Sequence, residues 1–345
     1  MSFLIGLLMV IVGAFIAGVS PWPYKVHKTY KMEHTLLLSQ IGGMFLVPWI
    51  IMFCVCDAGE TFRLIGWQNI IYANIFSLFF GIANILAIIC LVKIGFVMNS
   101  VLGGGTALVV ATLTPLIFKG SGIFFNAPDI NSPAGIISII AVLVMVAAII
   151  VISKSGEMRD LQLGRKGVCE ELTAFQNNFY RILCVISGVM APGLLFLNTY
   201  FGPILSNAAK TAGCAEELSG LSLWTFGMIG CVFVNVLYTI IVICKNKSFN
   251  KFLNFKEFLG SVCSGVQYIA YLIIFAFATV LMGALGAVIG NGVSQCVCTG
   301  GQQFIGFAFG EWKGVKGKPI KVFCIGIVLL VLGIVLLTVG SLLNK

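Results

Sequence analysis

The stretch that decides the fold is AGIISIIAVLVMVAAIIVI, residues 134–152, which carries no charged side chain across its length. An α-helix rises 1.5 Å per residue, so about 20 apolar residues cross roughly 30 Å of hydrocarbon. Charged residues begin again at Lys154, directly after the run. The segment is therefore typical of a transmembrane helix.

Further apolar runs of similar length follow on both sides of this one, separated by charged or Gly/Pro-containing breaks. The junction between the eighth and ninth runs rests on Gly283 and Gly286, because residues 269–309 are too long for one crossing. We predict an all-α integral membrane protein with ten transmembrane helices. The predicted spans are residues 3–20, 36–56, 70–92, 96–118, 134–152, 182–205, 221–244, 258–282, 285–309 and 322–343.

The composition of the 345-residue chain agrees with this class. Hydrophobic residues make up 59% and charged residues only 10%, whereas soluble domains carry about 25% charged residues. The mean hydropathy is +1.06. The net charge of +9 would suggest nucleic acid in a soluble protein, but Lys and Arg in cytoplasmic loops account for it here. We expect no nucleic-acid partner and little room for a soluble domain.

The basic residues sort to one side of the predicted membrane. Seventeen of them lie in the connections after the odd-numbered spans, and four lie on the other side: Arg63, Lys119, Lys210 and Lys345. Because cytoplasmic loops are enriched in Lys and Arg, both termini are predicted outside. No basic residue precedes the first span, so we expect it to remain as a helix. The protein is predicted to be multi-pass in the inner (plasma) membrane.

The ten predicted spans divide into two successive units of five, and this division predicts an internal repeat. Two successive units of five spans enter the membrane from opposite sides, which is the inverted-topology repeat of many secondary transporters. Residues 1–153 form the first predicted repeat, residues 154–181 a cytoplasmic connecting loop, and residues 182–345 the second repeat.

Cysteine and histidine patterns argue against an enzyme or a metal protein. Most of the twelve cysteines lie in apolar runs, where Cys behaves as a small hydrophobic residue. The pairs Cys54/Cys56 and Cys296/Cys298 lack the two-residue spacing of zinc ligands and have no nearby histidine. No His-Glu-x-x-His or Gly-x-Ser-x-Gly motif occurs. We therefore expect no enzymatic activity, cofactor or metal, and an intramembrane enzyme has no motif to support it.

Uncharged hydrogen-bonding side chains are frequent within the spans, whereas charges are scarce. Amides, phenols and aromatic rings suit a neutral polyhydroxy solute, since they donate, accept and stack without net charge. The alternative is that each bonds a neighbouring helix for about 0.6–2 kcal/mol. For Trp22, within Pro21-Trp22-Pro23-Tyr24, the alternative is a helix stop with an interfacial anchor. The candidate substrate-binding residues are Trp22, Gln40, Asn84, Asn198, Gln267, Tyr271 and Asn291.

Several segments resemble the L-rhamnose–proton symporter family of the drug/metabolite transporter superfamily. The resemblance is spread over most of the chain and depends on the order of its motifs. It implies a 5+5 inverted repeat, a central cavity and proton-driven uptake of a deoxy sugar, while the apolar Ile85-Leu86-Ala87 leaves the particular sugar open. The segments are Pro23-Tyr24-Lys25, Glu33, Pro48-Trp49, Gly81-Ile82-Ala83-Asn84, Thr114-Pro115 and Glu311-Trp312.

Proton coupling needs a titratable group that a cavity exposes to each side in turn. No carboxylate lies near the middle of a predicted span, so Glu33, His34 and Glu311 near the inner ends are the candidates, with Glu33 first. The alternative is that they are ordinary interfacial residues.

Three function classes follow from these observations. The first is a secondary active transporter that imports a neutral, rhamnose-like monosaccharide with protons by alternating access. The second is a drug or metabolite exporter of the same superfamily, which would favour an aromatic, apolar cavity. The third is a membrane receptor or assembly protein that moves no substrate. Whether the protein acts as a monomer or a homodimer stays open.

Overall fold

The computed structural model describes residues 2–118, 129–164, 173–282 and 286–342, and all regular structure in these ranges is helical. The α-helices are α1 (Ser2–Val19), α2 (Pro23–Val26), α3 (Met32–Leu38), α4 (Val47–Val55), α5 (Ala58–Ile65), α6 (Trp67–Asn99), α7 (Gly105–Ile117), α8 (Pro133–Gln162), α9 (Ala174–Met190), α10 (Gly193–Phe196), α11 (Gly202–Thr211), α12 (Leu221–Phe226), α13 (Ile229–Asn246), α14 (Phe255–Met282), α15 (Gly286–Ala308) and α16 (Lys318–Leu342). Short π-helical segments join some of them: Ser39–Leu46, Ser100–Gly104 and Leu197–Phe201.

Eight helical segments in the described ranges are long and apolar enough to cross a membrane. Each overlaps a predicted span, which confirms the prediction of an all-helical, multi-pass membrane protein. The segments are Phe3–Val26, Met32–Val55, Trp67–Ile94, Pro133–Gln162, Phe175–Phe196, Leu221–Asn246, Phe255–Ala278 and Lys318–Gly340.

The two remaining predicted spans, the fourth and the ninth, have a different character. The fourth corresponds to a shorter apolar helical stretch, Leu102–Thr114, and α6 continues for 33 residues before it. The ninth corresponds to α15, whose frequent Gly and Gln residues lower its hydropathy. The predicted break at Gly283 lies outside the described residues. Ten crossings and the 5+5 repeat therefore stay predictions.

The described chain forms two compact units. The first unit comprises residues 1–18, 86–192 and 278–345. Its longest contact is between α8 and α16, which pack side by side. Gly326, Gly333 and Gly340 of α16 lie against α8: a Cβ at Gly326 or Gly333 would collide with an α8 side chain, and a Cβ at Gly340 would come within 3.0 Å of one. This seven-residue glycine spacing lets the two helices approach closely.

The second unit comprises residues 19–85 and 193–277. Helix α14 packs against the π-helical segment so closely that Gly43 and Gly265 touch through their backbones. Helices α6 and α13 are joined by amides: Asn74 Oδ1 accepts from the Gly230 N–H at 2.6 Å. Each compact unit thus contains residues from both predicted repeats, and the division into repeats remains a prediction.

Candidate functional site

Two predicted substrate-binding residues that lie far apart in the sequence meet in the second unit. Trp22 lies in the turn between α1 and α2, where Pro21 and Pro23 end the first helix. Its indole N–H donates to Gln267 Oε1 of α14 at 3.1 Å. Both residues are half-buried.

Gln40 supplies a third polar group on the helix that packs against α14. It lies in the π-helical segment Ser39–Leu46, and π-helical turns frequently occur at functional sites. The residue is 7% exposed, and its Oε1 has no hydrogen-bond partner among the described residues. Its neighbour Ser39 touches Gly265, two residues before Gln267. A buried acceptor of this kind suits a ligand hydroxyl.

Tyr271 follows Gln267 by one helical turn on α14 and is buried. Its ring packs against Tyr268 with centroids 5.8 Å apart and an interplanar angle of 61°. It also packs against Phe275, again with centroids 5.8 Å apart. The helix therefore presents an aromatic row next to Gln267, which suits the C–H face of a sugar ring.

Asn84 has a different environment. Its side-chain N–H donates to Asn235 Oδ1 at 3.1 Å, and Asn235 in turn donates to the Cys231 carbonyl at 2.8 Å. Asn235 is fully buried. Among the described hydrogen bonds, none joins Asn84 to Trp22 or Gln267. The contacts favour the alternative of a residue that joins α6 to α13.

The last two amides lie elsewhere. Asn198 belongs to the π-helical segment Leu197–Phe201, and its Oδ1 lies beside Gly202. Asn291 lies within α15, and its side chain is outside the described part of the structure. Neither is placed next to the Trp22 and Gln267 pair by a described contact.

Glu33 and His34, at the start of α3, tie that helix to the connection after α13. Glu33 is 5% exposed, and its Oε1 accepts from Asn246 Nδ2 at 2.9 Å. His34 is fully buried. Its Nδ1 accepts from the Lys31 N–H at 3.2 Å, so Nε2 carries the proton and donates to the Ser248 carbonyl at 3.0 Å.

Glu257 is a functional candidate that sequence reasoning missed. It lies in the first turn of α14, where a negative charge is favourable. Its two carboxylate oxygens accept from the backbone N–H groups of Lys28, Thr29 and Tyr30, at 2.9, 3.1 and 2.6 Å. The helix start is visible in the sequence, whereas the partners lie more than 200 residues away.

His27 links this carboxylate to the Trp22 region. Its Nδ1 is 3.0 Å from Thr35 Oγ1, its ring contacts Trp22 edge-on, and Nε2 lies next to Gly260. Burial lowers the pKa of His27, and the nearby Glu257 carboxylate acts in the opposite direction. Sequence analysis did not select this histidine as a candidate.

Glu311 lies in the first unit and forms an ion pair. Its Oε2 accepts from Arg159 Nη1 at 2.7 Å, and Arg159 also pairs with Asp160 at 2.8 Å. The guanidinium lies 5.3 Å from the centre of the Trp312 ring. Gly306 leaves room for the pair, because a Cβ there would come within 2.9 Å of the Glu311 carboxylate.

The described cysteines lie in several different environments. No group of three His, Cys, Asp or Glu side chains in the described ranges could hold a metal ion. Cys56 forms a disulfide bond with Cys214, so the expectation that Cys56 is only a small apolar residue is wrong. Cys54 is free, and Cys298 donates to the Ala14 carbonyl at 3.1 Å.

Comparison with known proteins gives a match along the whole chain. The family model described as "L-rhamnose-proton symport protein (RhaT)" matches residues 1–342. The chain is 24% identical over 349 residues to the L-rhamnose-proton symporter of Pectobacterium atrosepticum, with 98% of each chain covered. It is 24% identical over 352 residues to that of Mannheimia succiniciproducens, with the same coverage. The similarity therefore includes both predicted repeats.

Proposed function

We propose that this chain, which belongs to the L-rhamnose-proton symport protein (RhaT) family, imports a neutral, rhamnose-like monosaccharide together with protons. Membership of this family makes the chain a transporter rather than an enzyme. The proposal is supported by the match over residues 1–342 and by curated relatives named as symporters of this type.

The observation that carries the sugar site is the contact between Trp22 and Gln267, with the acceptor of Gln40 on the neighbouring helix. A sugar hydroxyl could replace either partner of the Trp22–Gln267 hydrogen bond, and Gln40 offers an acceptor that the described residues leave unused. Tyr271 adds an aromatic face. We propose these four residues as the substrate contacts, and we keep Asn84, Asn198 and Asn291 as candidates from the sequence.

The hydrogen bonds of Glu33, His34 and Glu311 change in different ways when the side chain takes up a proton. Asn246 can offer an N–H to ionised Glu33 or, after rotation of its amide, a carbonyl to protonated Glu33. A proton on His34 Nδ1 would remove the acceptor used by Lys31, and a proton on Glu311 would weaken its pair with Arg159. We therefore keep Glu33 as the first proton-coupling candidate, ahead of His34 and Glu311.

The proposed cycle is alternating access by the two predicted five-helix repeats. Proton binding at Glu33 would change its bond to Asn246, and sugar binding would change the bond between Trp22 and Gln267. Both pairs join the region after the first predicted span to helices of the second repeat. Coupling through these pairs would give each ligand a differential affinity for the two states, as symport requires.

The test is uptake of radiolabelled rhamnose, fucose and related sugars into proteoliposomes that carry the purified protein. Accumulation of one sugar only under an inward proton gradient would establish the proposal and identify the substrate. No sugar-dependent flux under any gradient would overturn it. Export of amphipathic compounds under the same gradients would instead support the exporter, which the aromatic row of Tyr268, Tyr271 and Phe275 would also suit.

Substitutions with matched controls test the proposed roles of Gln267 in sugar binding and of Glu33 in proton coupling. Gln267→Leu should raise the half-saturating sugar concentration roughly 5- to 150-fold, because a lost hydrogen bond to a buried polar group costs about 1–3 kcal/mol. Gln68→Leu, at an exposed site on α6, is the control.

Glu33→Gln should abolish gradient-driven accumulation but keep sugar exchange at equal pH, and Glu60→Gln is its control. Unchanged accumulation in Glu33→Gln would exclude Glu33 from coupling.

A further inference from the structure

The second unit contains a covalent bond between two connections that are distant in the sequence. Cys56 follows α4, Cys214 follows α11, and the two residues are 158 positions apart. Their Cα atoms are 4.7 Å apart, a separation that a disulfide spans without backbone movement. Cys56 belongs to the first predicted repeat and Cys214 to the second.

The end of α11 fixes the position of Cys214. Gly213 has a φ of +88°, its N–H donates to the Lys210 carbonyl at 3.0 Å, and the Cys214 N–H donates to the Ala209 carbonyl at 3.0 Å. These two bonds form a Schellman motif, which ends a helix with a glycine in the left-handed region. The cysteine is therefore held by the backbone before any disulfide forms.

The short turn between α4 and α5 fixes the position of Cys56. The Cys56 N–H donates to the Met52 carbonyl at 3.0 Å, which closes α4. The next residue, Asp57, caps α5 by accepting from the Glu60 N–H at 2.9 Å. Helix α5 also packs against α11. Two capped helix ends thus present the two thiols to each other.

The bond lies in a polar environment and on the predicted outer side. Exposed ion pairs flank both cysteines, Glu60 with Arg63 on one connection and Lys210 with Glu216 on the other. By contrast, the free Cys54 lies on the apolar helix α4, two residues earlier. Disulfides form and persist in oxidising compartments outside the cytoplasm, which agrees with the orientation predicted from the basic residues.

We propose that the Cys56–Cys214 bridge forms after export of the outer connections and joins the two predicted repeats at one point, where the ends of α4 and α11 stay together while the rest of each repeat moves. Formation removes two protons and two electrons from the thiols, and both pass to the disulfide of an oxidised thiol–disulfide exchange partner, which becomes a dithiol. The role in transport rests on the proposed function. Its consequence is that the ends of α4 and α11 move as one body.

Thiol counting tests whether the bridge exists. Protein taken from cells under acid quench is denatured and treated with a maleimide, with and without prior reduction, and its mass is measured. We expect two additional labels after reduction, at Cys56 and Cys214, and none in Cys56→Ser/Cys214→Ser. The control Cys54→Ser should lose one label in both conditions and keep the difference of two. Labelling of Cys56 and Cys214 without reduction would overturn the proposal.

Transport tests what the bridge does. Uptake by proteoliposomes with the bridge closed should equal uptake after reduction within about twofold, while reduction should lower the unfolding midpoint by about 5 °C or more. Uptake that rises tenfold on reduction would show that the bridge crosses a moving boundary and would overturn the proposal. Absence of flux in every thiol state would overturn the proposed function instead, and labelling and melting would still decide the bridge.

Discussion

In the second unit, different kinds of bond hold the helix connections on the two sides of the predicted membrane. On the predicted cytoplasmic side, Glu33, His34 and Glu257 hold the connections through hydrogen bonds of titratable side chains. On the predicted outer side, the Cys56–Cys214 bond and two helix caps hold them. The hydrogen bonds on the cytoplasmic side can be exchanged between partners, whereas the disulfide on the outer side is covalent. We therefore place the proton-dependent step of the proposed cycle on the cytoplasmic side.

The largest effect should come from the cytoplasmic side, through Glu257→Ala. The substitution removes a buried carboxylate and leaves three backbone N–H groups without their acceptor. We expect a loss of about 3 kcal/mol or more in the free energy of unfolding, because hydrogen bonds to charged groups contribute about 1.5–3 kcal/mol each and water can replace part of what the three N–H groups lose. The measurement is unfolding in detergent, followed by tryptophan fluorescence. Glu257→Gln keeps one acceptor oxygen and should lose less; equal stability of Glu257→Ala and the native protein would refute the role.

Sequence analysis predicted the helical class and most spans because burial in lipid requires long apolar runs, which need no knowledge of partners. It also predicted that Trp22 lies at a helix break, since the two flanking prolines act locally. It could not pair Trp22 with Gln267, Arg159 with Glu311 or Cys56 with Cys214. Those partners lie 150 or more residues apart, and one sequence carries no information about which distant residues meet.

The next largest effect should come from the outer side, through Gly213→Ala. Gly213 has a φ of +88°, and left-handed backbone costs a residue with a Cβ roughly 1–2 kcal/mol. No atom lies within 4 Å of a Cβ built there, so the cost is conformational rather than steric. Gly59→Ala, at an exposed position without positive φ, should be neutral or slightly stabilising within α5. Thermal unfolding of both variants with the bridge intact separates them, and equal midpoints would contradict the assignment.

A smaller loss is expected for Asp57→Ala. The variant loses the side-chain acceptor for the Glu60 N–H, and removal of such a helix cap costs about 1 kcal/mol. Asp57→Ser keeps an acceptor and should retain most of the stability. The two variants are compared by the midpoint of thermal unfolding before and after reduction of the bridge. A loss as large as that of Glu257→Ala would remove the difference between the two sides of the unit.

The smallest predicted effect is a loss of folding stability at acidic pH that depends on His27. Burial lowers the pKa of His27 in the folded protein, so below its ordinary pKa of about 6.5 the unfolded chain binds more protons at this site than the folded one. The contribution of His27 to stability is therefore present above about pH 6.5 and is lost as the pH falls through the lower, folded-state pKa. Because His27 is only half-buried, solvent screening should keep this effect below that of the Asp57 cap.

Unfolding midpoints at pH 7.5 and 5 should differ more for the native protein than for His27→Asn, which does not titrate. If both proteins lose the same stability in acid, the pH dependence of the cytoplasmic side does not arise from His27.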